Sequence, residues 1–134
     1  MKNIKIDGLA HIGVFVSDLA VSKKFYTEKL DFTVVQDTSL PSSDGMIQIA
    51  FIRNGNLEVE LVQFPKTEPK KDGPVDHIAI HVDNIECVHA ELKNRGIVFE
   101  TEDVIFGAPI GPRGAKWICF RGPDGEHLEL NEVL

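Results

Sequence analysis

The chain has 134 residues, 43% hydrophobic and 26% charged, with a net charge of −7, the balance of an ordinary soluble globular domain. A pI near 5.1 argues against a nucleic-acid partner, which needs clustered Lys and Arg, and no apolar run approaches the roughly 20 residues that span a bilayer. No long apolar stretch follows Met1-Lys2-Asn3-Ile4-Lys5, and Cys87 and Cys119 match no metal or redox spacing, so a cytoplasmic protein with reduced thiols is expected.

In chain order, the first predicted element is a strand, His11-Ile12-Gly13-Val14-Phe15-Val16, with apolar residues alternating along it. Ser17-Asp18 then offers side-chain oxygens to the free N–H groups of a first helical turn. Val21, Phe25 and Leu30, with Leu19 and Tyr26, predict one apolar helix face, and Asp31 stands at its stop. Phe32 to Gln36 reads as a strand and residues 38–46 as a loop. Ile47–Ile52 turns through Asn54-Gly55-Asn56 into Leu57–Phe64, because Asn-Gly favours tight hairpins. Pro65–Pro74, rich in proline and lysine, is a linker, and Lys66, Lys70 and Lys71 within it read as a solvated loop.

The pattern then recurs with an offset of 66 residues. His77-Ile78-Ala79-Ile80-His81-Val82 repeats the first strand, and Asp83-Asn84 repeats the cap. Ile85, Val88 and Leu92 mark the second helix, His89 its surface and Gly96 its stop. Ile97 to Glu100 predicts a strand and residues 106–115 a loop; Lys116–Phe120 turns through Pro123-Asp124-Gly125 into His127–Val133. The fold class is α+β: one domain over 1–134 built from two tandem βαβββ modules, 7–64 and 75–134.

Side chains alternate faces along a strand. Val59 and Leu61 therefore face the helices, while Glu58 and Glu60 face away; Leu128 and Leu130 face in, and His127, Glu129 and Asn131 face out. The first strand of each copy turns His11, Gly13 and Phe15, or His77, Ala79 and His81, to that same outer face. A lone strand histidine is more often structural than a ligand. Here a His–Glu pair stands twice in equivalent places, and a metal ion satisfies two histidines and two buried carboxylates together. His11, Glu60, His77 and Glu129 are the candidate metal ligands. Glu58 is the rival to Glu60, and the match of Val59-Glu60-Leu61 with Leu128-Glu129-Leu130 favours Glu60.

His11-Ile-Gly-Val, Phe25-Tyr26-Thr27-Glu28-Lys29-Leu30, Val59-Glu60-Leu61, His77-Ile-Ala-Ile and Pro123-Asp124-Gly125 with Leu128-Glu129-Leu130 resemble the vicinal oxygen chelate superfamily of glyoxalases, bleomycin-resistance proteins and extradiol dioxygenases. The resemblance implies a curled mixed sheet that closes as a cup around one divalent ion, with Ni²⁺, Co²⁺, Zn²⁺, Mn²⁺ and Fe²⁺ all compatible. The ligand set and short length are most similar to bacterial glyoxalase I, the lactoylglutathione lyase, and methylmalonyl-CoA epimerases are also similar. Fosfomycin-resistance enzymes and extradiol dioxygenases use two His and one Glu, so the fourth ligand counts against them. Glyoxalase I proteins place an Arg and an Asn, which grip glutathione carboxylates, where this chain has Phe15 and Phe64; aromatic rings cannot do this.

The resemblance implies a lyase or isomerase in which the metal polarises a carbonyl and stabilises an enediolate after proton abstraction. Glu129 is the expected base, and Glu60 its mirror-related partner. Phe15, Phe64, His81, Arg113 and His127 are candidates for contacting a small oxo or hydroxy substrate, while Trp117 reads as core or cavity wall. The alternatives are an acyl-CoA epimerase and a small-molecule binding or resistance protein without catalysis. A homodimer is expected, with sites shared between subunits favoured, although the linker fits either arrangement.

Overall fold

Each half of the chain folds as a strand, a helix and three further strands. The computed structural model describes residues 3–5, 7–67 and 72–134. The first unit is β1 (Ile12–Phe15), α1 (Leu19–Leu30), β2 (Thr33–Ser42), β3 (Gly45–Asn54) and β4 (Leu57–Gln63). The second is β5 (Ile78–His81), α2 (Ile85–Asn94), β6 (Ile105–Gly107), β7 (Ala115–Arg121) and β8 (His127–Val133). The sheets run β1-β4-β3-β2 and β5-β8-β7-β6. In each, the strand before the helix lies parallel to the last strand, and the remaining pairs are antiparallel.

The helix ends follow from local chemistry. Asp18 accepts from the backbone N–H of Ala20 and Val21 at 3.0 and 3.2 Å, and Asn84 from that of Cys87 at 3.2 Å, which satisfies donors that a helix leaves free. Asp31 ends α1 in the left-handed region at φ 56°, and Gly96 follows α2 at φ 88°.

Four local expectations change. Val21 is 51% exposed, and the buried face of α1 carries Ser22 and Tyr26 instead. The reason is tertiary: the β7–β8 turn docks on this helix, and the small Ser22 lets it approach, with its hydroxyl 3.5 Å from Asp124. Residues 38–46 are not a loop but the end of a long ribbon paired as far as Ser42 and Gly45; its polar composition reflects exposure rather than lack of pairing. Residues 97–100 make an isolated bridge, Phe99 to Phe120, and the fourth strand is β6, which overlaps the start of the stretch read as a loop. Ile97 is buried and Val98 exposed, so this segment has the burial alternation of a strand without its ladder. His89 is not a surface residue: its ring lies edge-on to Phe99 at 4.6 Å and is half-buried. Lys70, Lys71 and the linker span 68–71 lie outside the described residues.

One core joins the two units, with Val14, Ile52 and Leu61 from the first and Ile85, Ile118, Phe120 and Leu128 from the second. Polar contacts pin the joint. The Ser17 N–H donates to Asp124 at 2.9 Å and the Tyr26 hydroxyl to Glu126 at 2.9 Å. The Lys29 ammonium donates to the Arg95 carbonyl, and the Arg95 guanidinium donates to the Lys29 carbonyl at 3.3 Å. Positions 29 and 95 are separated by the repeat offset of 66 residues, so this exchange marks an internal two-fold relation. Among the described residues no helix is long and apolar enough to cross a membrane.

Burial, then the charge of Glu126, push the Tyr26 phenol well above its usual range. It stays a neutral donor bonded to a carboxylate, and such bonds are worth about 1.5–3 kcal/mol. Tyr26→Phe is expected to lower urea-unfolding stability by that amount without changing the slope with denaturant. A loss below about 0.5 kcal/mol, within the range of an ordinary surface change, would mean that water replaces the bond.

Candidate metal centre

Strand register sets the site. Gly13 stands opposite Glu60 in the β1–β4 pair, and Ala79 opposite Glu129 in the β5–β8 pair, so the glutamates occupy equivalent places. Their neighbours Val59, Leu61, Leu128 and Leu130 are buried in the core, which sends both glutamates to the opposite face. Glu58 is held by Arg53 at 2.7 Å, an ion pair that occupies the rival carboxylate. A Cβ added at Gly13 would lie 3.9 Å from Glu60 Oε1.

Glu129 is 8% exposed. Its Oε1 accepts from Asn131 Nδ2 at 2.9 Å; its Oε2 lies 3.5 Å from His77 Nε2 and 3.9 Å from Cys119 Sγ. His77 Nδ1 is 2.9 Å from Asp76 Oδ2, an arrangement that turns Nε2 toward Glu129 and fixes which nitrogen is offered. The hydrogen bond with His77 is the main cause that holds the Asp76 carboxyl below its usual range. In the first unit His11 is exposed, with its ring edge-on to Phe51 at 5.5 Å.

Of the predicted quartet, His77 and Glu129 therefore meet, while His11 and Glu60 are carried on the same outward face without joining them. Among the described residues, the group with three donor atoms mutually within 4.8 Å is Glu100, Cys119 and His127. The edges of β1 and β5 nevertheless flank one space within one chain: Gly13, Phe15, Asp76, His77 and His127 line a common cavity of about 670 Å³. Phe15 and Phe64 meet edge to face at 5.2 Å, both exposed. His127 is half-buried, 3.2 Å from Glu100 and 3.4 Å from Asp76. His81 is exposed and lies 3.4 Å from Asp83, and Arg113 is exposed on its loop.

These residues suit a divalent cation. A buried carboxylate needs a countercharge, and no lysine or arginine among the described residues pairs with Glu129, whose ion-pair partner is His77. Imidazole and carboxylate are the donor types that divalent first-row metals take.

Residues 8–130 match the family model for the Glyoxalase/Bleomycin resistance protein/Dioxygenase superfamily. The chain belongs to this superfamily. Among its relatives, protein YwkD of Bacillus subtilis is 33% identical over 95% of this chain and 98% of its own. The mitochondrial methylmalonyl-CoA epimerase of Mus musculus is 30% identical over 96% of this chain and 75% of its own. The crystal structure of a glyoxalase family protein from Enterococcus faecalis superimposes with a TM-score of 0.78, at 27% identity, over 94% of this chain and 98% of that one. The two mixed sheets with their helices are thus the glyoxalase-superfamily fold.

Sequence reasoning passed over Asp76, Cys119, Asn131 and Glu100. Asp76 carried a signal, since it directly precedes His77. Asn131 shares the parity of Glu129. Cys119 stands opposite Glu129 across the β7–β8 hairpin, which only the hairpin register reveals. Glu100 gave no signal, because its position depends on where the chain leaves the core.

Burial, then the charges of Glu129 and Glu100, push the Cys119 thiol up to about 11, so near neutral pH it stays protonated and unreactive. Cys87 is exposed. Iodoacetamide near neutral pH is expected to label Cys87 at least about tenfold faster than Cys119, read by peptide mass spectrometry. Equal rates would show that Cys119 is open to solvent.

Proposed function

We propose that this protein is a metal-dependent isomerase of the glyoxalase superfamily, which moves a proton at the carbon next to a carbonyl of a small oxo or hydroxy substrate. The observation that carries this reading is the buried Glu129 carboxylate at 3.5 Å from His77 Nε2, with no permanent cation paired to it among the described residues. His77 and Glu129, with His11 and Glu60 from the first unit, are the residues that would hold the ion. A divalent cation held there supplies Lewis acidity, which polarises a carbonyl and makes the adjacent C–H more acidic. Glu129 is the base that removes this proton, and Asn131 steadies its Oε1 at 2.9 Å. Glu60 returns or removes a proton on the opposite side. Asp76 positions His77.

An acyl-thioester epimerase is the second reading. It is supported by the 30% identity to the mouse epimerase over nearly the whole chain and uses the same two carboxylates. Phe15, which lines the cavity, and Phe64, packed edge to face against it, supply aromatic surface rather than groups that grip the carboxylates of glutathione, which disfavours the glutathione-dependent reaction. Gly13 and Phe15 line one cavity with His77 in a single chain, which supports ligands drawn from one chain over a site shared between two subunits of a homodimer.

The test is hydrogen exchange by NMR in deuterated water, with a divalent metal added, on a panel of acyl-CoA epimers, keto sugars and oxoaldehyde–thiol adducts. At least one member is expected to take up deuterium next to its carbonyl. Glu129→Gln should slow that exchange by about a thousandfold, comparable to the loss of a general base. His77→Ala should lose the divalent ion held by the His77–Glu129 set. No exchange on any member, or full exchange by Glu129→Gln, would overturn the reading. The methylglyoxal–glutathione adduct is expected to turn over poorly; a kcat/KM near ~10⁷ M⁻¹s⁻¹ would show that Phe15 and Phe64 do not exclude glutathione. Mixing inactive His11→Ala and His77→Ala chains should restore no activity, and recovery on mixing would return the site to the subunit interface.

A further inference from the structure

We propose that Glu100, Cys119 and His127 form a second divalent-cation site, separate from the His77–Glu129 pair and suited to a thiophilic ion such as Zn²⁺. Their donor atoms lie mutually within 4.8 Å. Two donors about 2.0–2.3 Å from a common tetrahedral ion stand roughly 3.5 Å apart. Only rotamer-scale closure is needed, and His127 Nε2 is already 3.2 Å from Glu100 Oε2.

The donor set is built rather than incidental. Arg121 holds Glu100 Oε1 at 3.0 Å and is itself anchored by Asp72 at 2.7 Å, so Glu100 Oε2 remains to serve an ion. His127 has a side chain 14% exposed, and its Nδ1 is buried without a hydrogen bond, with Asp76 Oδ2 at 3.4 Å. Cys119 comes from the neighbouring β7, with Glu129 at 3.9 Å. Carboxylates thus surround a thiol and an imidazole, and Arg121 pairs with Glu100 among them. Thiolate, imidazole and carboxylate together select zinc-like ions over oxygen-preferring Mg²⁺ or Ca²⁺. Binding displaces the thiol proton to solvent and leaves the thiolate as ligand. The set includes none of His11, Glu60 or His77, and the His77 ring stands edge to face with His127 at 6.1 Å.

The test titrates Co²⁺ into the metal-free full chain and follows the near-ultraviolet charge-transfer band that a cobalt–thiolate bond produces. The band is expected in the unaltered protein, in Cys87→Ser and in His77→Ala. Cys119→Ser should abolish it. His127→Asn and Glu100→Gln should weaken the affinity read from it by about tenfold or more, with circular dichroism confirming the fold. Glu100 is exposed, so Glu100→Gln keeps the test decisive if an interior variant unfolds. No band at saturating Co²⁺, a band that survives Cys119→Ser, or unaltered affinity in Glu100→Gln would overturn the proposal. Loss of the band in His77→Ala would also overturn it, by assigning the thiol to the other donor set. The deuterium exchange of Glu129→Gln is a separate readout, so failure here leaves the proposed reaction standing or falling on its own.

Discussion

A carboxylate buried in the face of a sheet governs the second unit. Glu129 sits between Leu128 and Leu130, both locked into the core, so β8 cannot slip by one residue without exchanging two leucines for polar side chains. That register forces Glu129 to the outer face, beside Ala79 on one side and Cys119 on the other. Asn131 and His77 supply its polar contacts, and Asp76 stands behind His77. The chain thus accepts the cost of a buried charge and sets Asn131 and His77 against it, with no lysine or arginine paired to it among the described residues, which leaves room for a cation from outside.

The internal repeat explains both the likeness and the difference of the two halves. Glu60 and Glu129 have equivalent neighbours in the parallel pairs, and Lys29 and Arg95 exchange hydrogen bonds across the pseudo-two-fold axis. The antiparallel neighbours differ. Phe51 stands opposite Glu60, whereas Cys119 stands opposite Glu129. In the first unit His11 rests its ring against Phe51 and stays exposed; in the second, His77 meets the glutamate directly. Duplication supplied the frame, and divergence at one cross-strand position concentrated the polar chemistry on the second sheet.

Much of this was legible in the amino-acid order. The recurrence of His-Ile-Gly-Val as His-Ile-Ala-Ile gave the two units, and strand parity separated Glu60 and Glu129 from the core. Caps at Asp18 and Asn84 and turns at Asn54-Gly55 and Pro123-Asp124-Gly125 were local chemistry and fell where local chemistry puts them. What failed depended on distant partners. Val21 and Ser22 exchange roles on α1 because a turn from the other unit docks there. The polar ribbon of β2 and β3 resembles a loop because both its faces meet solvent. Glu100 reaches His127 only after the chain leaves the core without forming a ladder, which no periodicity encodes.

Glu129 is a buried carboxylate kept for a cation, and thermal unfolding with and without a divalent metal registers that role. Glu129→Gln removes the charge, retains the shape and still accepts from Asn131. The metal-free variant is expected to melt at or above the temperature of the unaltered metal-free protein. Saturating Mn²⁺, which a thiol-containing donor set disfavours, should raise the melting temperature of the unaltered protein by several degrees, as about 2.7 kcal/mol of linkage at a hundredfold excess over Kd would require, and raise that of the variant much less. A variant that melts well below the unaltered protein without metal, or that gains as much from metal, would show that Glu129 is not kept for a cation.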